Sequence, residues 1–340
     1  MSDELRNTAA AMVAEGKGVL AADESTGTMD KRLKAAGVEP GEESRRALRE
    51  ILFTTDGVAD HISGVILFDE TFRQSTADGT PFPRLLEDQG IIPGIKVDTG
   101  AKPLPFSEGE KVTEGLDGLR DRLEEYYEGG ARFAKWRGVI TIDDHLPTDY
   151  CIHVNAHALA RYAALCQEAS LVPIVEPEVL MDGEHTIERS EEVTGRVLTA
   201  VFAELRAQRV LFEGMLLKPN MVLAGYECSE QPGDDVVAER TLRCLRRTVP
   251  AAVPGIVFLS GGQSDEDATT RLNTMNQMGT QPWEISFSYG RGLQAAALNT
   301  WHGESENVEA AQTQYRHRAR CTGAARRGEY SEELERELVA

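Results

Sequence analysis

Along this chain a short, β-rich apolar run is followed again and again by a polar segment of helical period, and the run occurs eight times. The runs are Gly18–Asp23, Gly64–Asp69, Gly94–Asp98, Arg132–Val139, Leu171–Glu178, Met215–Asn220, Gly255–Gly261 and Glu284–Tyr289. Between them, stretches such as Leu116–Glu128, Val154–Ala169, Ser190–Gln208 and Asp235–Arg247 space apolar residues by three and four, the period of an amphipathic helix. Strands alternating with helices build parallel sheets, and eight of them predict a (β/α)8 TIM barrel. An open, doubly wound sheet is the alternative. The count of eight, and the lack of a GxGxxG turn after the first run, favour the barrel. The expected organisation is one barrel domain over residues 1–320, ending in a helix after Gly303, and a charged tail over 321–340.

Bulk properties narrow the function. The formal charge of −20 argues against nucleic acid and anionic membrane as partners. No apolar run approaches the ~20 residues that cross a bilayer. The first residues lack the basic-then-apolar pattern of a secretory signal, so a cytoplasmic protein is expected. The five cysteines (Cys151, Cys166, Cys228, Cys244 and Cys321) are odd in number and scattered, with no CxxC pair. That fits a reducing compartment and not a structural zinc. His153 and His157 stand four apart on a predicted helix, but no third ligand accompanies them. No metal and no cofactor are expected.

The ends of the runs carry the functional signal. A strand buried on both faces should be almost continuously apolar. Here the runs end in Asp23, Asp69, Lys96 with Asp98, Lys135 with Arg137, Glu176 with Glu178, Lys218 with Asn220, Ser260, and Ser288 followed by Arg291. Spacing by two puts both members of a pair on one face of the strand. Thus Lys135 and Arg137 should face the barrel interior, and Ala134 and Trp136 the helices. Structural ion pairs explain any single pair. They explain less well a pattern repeated over most of eight strands, and barrel enzymes keep their chemistry at this end.

Lys218 lies inside VLFEGMLLKPNMVL, and it is the only lysine beyond Lys135. Burial disfavours an ammonium, and a neutral amine is what attacks a ketone to form a Schiff base. A lysine that reaches outward, or pairs with Glu178 or Glu213, is the other reading. Glu176 and Glu178, in PIVEPEVL, are acid–base candidates, since a half-buried Glu with a raised pKa both gives and takes protons near neutrality. Ser260-Gly261-Gly262 closes run seven, and Gly290-Arg291 follows run eight. Barrels often bind phosphate at these two loops, where small residues expose backbone N–H groups and an arginine adds a fork of donors. A plain Gly-Gly turn is the alternative. Lys96, Lys135 and Arg137 could hold a second anion across the mouth. Because the chain as a whole repels anions, such a substrate calls for a locally cationic pocket.

With these residues in view the sequence resembles the class I fructose-1,6-bisphosphate aldolases. The resemblance is carried by GKGVLAADESTGTMDKRL, GVILFDE, GIKVDTG, FAKWR, ARYAALCQE, VPIVEPE, LLKPNMV, LRRTVPAAVPGIVFLSGGQS and SFSYGRGLQ, in order, from about residue 5 to about residue 320. It implies reversible cleavage of fructose 1,6-bisphosphate to two triose phosphates without metal. It implies that Lys218 forms the Schiff base, that Glu176 shuttles protons during carbinolamine dehydration, and that Asp23 takes the hydroxyl proton during carbon–carbon cleavage. Lys135 would polarise the site, and Glu178 would orient Lys218 or Lys135. Ser260, Gly261, Gly262, Gly290 and Arg291 would form the ketone-side phosphate site. Lys96 and Arg137, helped by Ser25 and Arg32, would form the aldehyde-side one. A homotetramer is implied by the resemblance alone. Two departures stand out: Thr28 replaces a usual Ser, and the sequence ends SEELERELVA without the terminal Tyr that assists proton exchange in many members. Exchange is therefore expected to be slower or to use another group. Other Schiff-base aldolases of one-phosphate substrates, a PLP-dependent barrel and a non-catalytic binding protein are the alternatives.

Overall fold

The computed structural model describes residues 2–337. All eight runs contribute strands, and these close into one parallel barrel. In chain order, strands one to eight are Gly18–Ala22, Ile62–Leu67, Ile92–Lys96, Phe133–Ile140, Val172–Val179, Leu216–Leu217, Gly255–Phe258 and Glu284–Tyr289. Strand one pairs with strand two on one side and strand eight on the other, which seals the ring. Strand six is much shorter than its apolar run. Pro219 has no N–H to give the ladder, so regular pairing stops at Leu217. The chain still runs on to the mouth, with Lys218 N donating to Val175 O at 2.8 Å and Leu259 N donating to Pro219 O at 3.2 Å. An antiparallel hairpin, Gly100–Pro103 with Lys111–Glu114, follows strand three and was not foreseen.

Two apolar layers position the site. The helix Ser2–Met12 points Leu5, Ala9 and Met12 into the lower barrel, where they meet Val19, Ile66, Val172, Leu216 and Val257. Phe133 fills the same layer, and a Cβ on Gly94 would lie 2.2 Å from its ring, so only glycine fits there. The floor is thus plugged with hydrocarbon, which leaves the carboxyl-terminal mouth for polar work. Outside the ring, Trp136 packs on Tyr162 at 5.6 Å between ring centroids. Strand four therefore alternates as its sequence requires, with Lys135 and Arg137 turned to the mouth and Ala134 and Trp136 to the helices.

The helix Val308–Arg326 runs through positions 320 and 321 and buries Cys321, Ala324 and Ala325. The short helix Glu332–Arg336 folds back on it. His317 Nε2 lies 2.9 Å from the Glu335 carbonyl oxygen, and the Glu335 carboxylate holds Arg318 and accepts from the Tyr330 hydroxyl at 2.7 Å. Residues 338–340 of the expected tail lie outside the described residues. Among those described, no helix is long and apolar enough to cross a membrane.

Candidate active site

The strand ends converge on one cavity of about 480 Å³. The residues expected to do chemistry or bind phosphate all line it: Asp23, Ser25, Arg32, Lys96, Lys135, Arg137, Glu176, Glu178, Lys218, Ser260, Gly261, Gly262, Gly290 and Arg291; of the polar run ends, Asp69 and Asn220 do not. At its base lies a chain of alternating charges. Lys135 Nζ sits 2.8 Å from Asp23 Oδ2 and 3.2 Å from Glu176 Oε2, and Lys218 Nζ sits 3.3 Å from Glu176 Oε1. All four side chains are at least nine-tenths buried. Burying one such charge alone would be prohibitive; the alternation of sign makes the group tolerable.

Electrostatics then sets the protonation states. Burial works against the Asp23 carboxylate, but the Lys135 and Lys218 ammoniums outweigh it and hold its pKa at about 2. Burial likewise opposes Glu176, and Lys135, Lys218 and Arg137 together overcome it, so its pKa is lowered. This corrects the expectation of a raised Glu176: three cations surround it, and their attraction exceeds the desolvation that the sequence alone suggests. Lys135 shows the mirror image. Burial disfavours its charge, but Asp23, Glu176 and Asp98 raise its pKa, which keeps it an ammonium. Glu176 Oε2 is ion-paired to Lys135 yet accepts no hydrogen bond. It is a buried acceptor with an open lone pair.

The two rims differ. On the side of strands seven and eight, Gly261 has φ +58°, and a Cβ there would lie 2.0 Å from the Met181 methyl. Glycine is thus required for this turn of the loop. Arg291 braces the loop, donating through Nη2 to Gly261 O at 3.0 Å and Gln263 O at 3.4 Å. Ser288 Oγ is buried at the end of strand eight with no hydrogen-bond partner. On the side of strands three and four, both cations already have carboxylates. Lys96 Nζ is 3.2 Å from Asp98 Oδ1, and Arg137 Nε donates to Glu178 Oε2. Glu178 therefore serves Arg137; no ion pair joins it to Lys135 or Lys218 among the described residues. Ser25 and Thr28 hydroxyls lie 3.1 Å apart on the adjoining wall.

Sequence reasoning passed over several lining residues. Glu24 had a readable signal, since it flanks a residue already chosen, whereas Asp98 and Ser288 were marked as run ends but given no role. Asp182 and Tyr226 come from loops, where no period marks which side chain turns inward. Counting all of them, the cavity carries six cationic and six acidic side chains. It is neutral, not cationic as expected, although far less acidic than the chain around it. His153 and His157 lie on an exposed helix face beside Glu204, His157 Nδ1 being 3.1 Å from its carboxylate.

A buried lysine–carboxylate cluster at the carboxyl-terminal mouth of a closed (β/α)8 barrel is the layout of a barrel enzyme. The model of the family described as fructose-bisphosphate aldolase class-I matches residues 4–339. A probable class 1 fructose-bisphosphate aldolase of Xanthomonas campestris pv. campestris is 57% identical over 329 residues, covering 96% of this chain and 98% of that protein. Cytosolic fructose-bisphosphate aldolase 6 of Arabidopsis thaliana is 55% identical over 330 residues, 97% of this chain and 92% of its own. The solved structure of Plasmodium falciparum fructose-bisphosphate aldolase, in complex with TRAP and a small-molecule inhibitor, superposes with a TM-score of 0.96 at 52% identity, covering 97% of this chain and 96% of that one. This chain belongs to the class-I fructose-bisphosphate aldolase family, and it is an aldehyde-lyase.

Proposed function

We propose that this chain cleaves fructose 1,6-bisphosphate reversibly to dihydroxyacetone phosphate and glyceraldehyde 3-phosphate through a Schiff base on Lys218. The observation that carries the reading is the place of Glu176 between two ammonium groups, with one buried oxygen accepting no hydrogen bond. Transfer of a proton from Lys218 to Glu176 makes the nucleophile and the acid in one step. The amine adds to the ketone carbon, and Glu176 returns the proton to the carbinolamine hydroxyl, which leaves as water. The iminium then draws electrons, so that the carbon–carbon bond two atoms away breaks as Asp23 takes the hydroxyl proton of the departing aldehyde. Asp23 is ready for this, because Lys135 and Lys218 keep it ionised far below neutral pH. Lys135 stays charged throughout and steadies both carboxylates as protons come and go. Protonation of the enamine carbon and hydrolysis of the iminium release the second triose phosphate and restore Lys218.

The two phosphates divide between the rims. The loop Ser260–Gly262 with Gly290 and Arg291 takes the ketone-side phosphate; Lys96, Arg137, Ser25 and Arg32 take the other. Glycolytic and gluconeogenic work in the cytoplasm as a homotetramer fits the family, and the cytosolic Arabidopsis relative supports the location. The test is borohydride reduction in the presence of fructose 1,6-bisphosphate and EDTA, with peptide mass mapping. A reduced adduct on the peptide that holds Lys218 is expected. Activity that disappears with EDTA, or that persists without any adduct, would overturn the mechanism.

A further inference from the structure

Strand one leads into Asp23-Glu24, and the chemistry above uses only Asp23. Glu24 is equally inaccessible, with 7% of its side chain exposed. Its carboxylate carries two arginines. Oε2 accepts from Arg49 Nη2 at 2.6 Å, and Oε1 accepts from Arg32 Nη1 at 2.5 Å and from Gln294 Nε2 at 3.0 Å. The two arginines are not equivalent. Arg49 comes from the helix Glu42–Phe53 and is only 3% exposed. Its other amino group donates to Gln294 Oε1 at 2.8 Å, and Gln294 in turn donates to Ala21 O at 2.8 Å. Arg49, Glu24 and Gln294 thus form a closed, buried ring anchored to strand one. Arg32, on the helix Thr26–Ala35, is 31% exposed and lines the cavity on the same wall as Ser25 and Thr28.

We propose that Arg49 is a positioning residue that makes Arg32 releasable to the aldehyde-side phosphate, so that it sets the preference for a two-phosphate over a one-phosphate sugar. A buried carboxylate with a single arginine holds it fast, since withdrawal leaves an uncompensated charge in a poor solvent for charge. Here Glu24 has a permanent counter-ion in Arg49, whose own geometry is fixed by Gln294. Arg32 can therefore leave Oε1 for an incoming phosphate, and Glu24 stays neutralised and still hydrogen-bonded. Until then Glu24 keeps Arg32 against the cavity wall, so the guanidinium is aimed before the anion arrives.

This inference rests on the bisphosphate-cleaving reading of the same site, and the experiment separates the two. The rates of cleavage of fructose 1,6-bisphosphate and fructose 1-phosphate are measured for the unaltered protein, R49M, R49K, R32A and R49M/R32A. In R49M, Arg32 becomes the sole counter-ion of Glu24, and KM for the bisphosphate is expected to rise roughly tenfold. KM and kcat for fructose 1-phosphate should change by less than about twofold. R49K keeps the charge but lacks the planar fork whose two amino groups bridge Glu24 and Gln294; an intermediate rise, again confined to the bisphosphate, is expected, and this variant carries the test if R49M does not fold. In the R32A background the R49M change should add nothing, because Arg49 acts through Arg32. An equal loss on both substrates, or a full effect of R49M without Arg32, would overturn the proposal. An unaltered protein that cleaves neither sugar would instead sink the underlying function.

Discussion

The rim of strands seven and eight and the rim of strands three and four both present cations to the cavity, but under different conditions. At the first, Arg291 leans on carbonyl oxygens of the loop it braces, and no carboxylate pairs with it among the described residues. At the second, Lys96 is held by Asp98, Arg137 by Glu178, and Arg32 by Glu24. An anion at the first rim adds attraction with little to displace. An anion at the second must compete with carboxylates already in place, and what it gains is only the difference between two pairings. On the proposed reading, the first rim holds a phosphate and the second discriminates between substrates. The protein as a whole carries a formal charge of −20. Its cavity is neutral overall, so anchoring depends on where the unpaired cation sits and not on a general excess of positive charge.

Removing the centre that both rims serve should erase the difference between them. In K218M the proposed Schiff base cannot form, and turnover of the bisphosphate and of fructose 1-phosphate should fall together by roughly 10⁴-fold or more. Steady-state assays and borohydride trapping check this. Unequal loss on the two substrates would mean that one of them is processed without the covalent step.

The centre also makes a prediction about acid, independent of either rim. The folded pKa of Asp23, about 2, lies below its ordinary value of 3.8. A depressed carboxylate stabilises the fold above its unfolded pKa and ceases to do so as pH falls through the folded one. The stability at stake is roughly 2 kcal/mol, present above about pH 4 and lost on the way down to about pH 2. Glu176 acts in the same direction. Urea unfolding across this window should therefore be less steep with pH for D23N than for the unaltered chain. Equal slopes would mean that Lys135 does not hold Asp23 ionised.

Arg291 tests the anchoring rim. R291A removes charge-assisted hydrogen bonds and should raise KM by about tenfold for both sugars, since both carry the ketone-side phosphate. An effect on the bisphosphate alone would exchange the assignments of the two rims.

How much of this was legible in the sequence follows from where each residue sits. Strand four announced itself, because FAKWRGV alternates and its period says that Lys135 and Arg137 share a face. Lys218 stood out as a lone lysine in apolar surroundings. The pairings did not show. That Glu178 holds Arg137 depends on strand register, Val139 lying beside Glu178 and Arg137 beside Glu176, and no single strand encodes that. The lowered pKa of Glu176 was invisible for the same reason: its three cations come from strand four and from the residue just after strand six. Glu24 was passed over because its partners, Arg49 and Gln294, lie 25 and 270 residues away on helices that look like ordinary barrel exterior.

The discriminating rim yields the smallest effect. R137A deletes a cation that Glu178 already neutralises, so the phosphate loses only the surplus of its own attraction over that of the carboxylate. A rise of about two- to fivefold in KM is expected for fructose 1,6-bisphosphate, set by a net gain on the order of 0.5–1 kcal/mol for an ion pair whose arginine is exposed. Arg137 is 43% exposed, which adds solvent screening to the competition. For fructose 1-phosphate, which lacks the aldehyde-side phosphate, KM should hardly move. Steady-state kinetics with the two sugars compares R137A directly with R291A. If R137A cost as much as R291A, Arg137 would have to leave Glu178 without penalty, and the contrast between an anchoring and a discriminating rim would fail at the residue where it is most exposed to test.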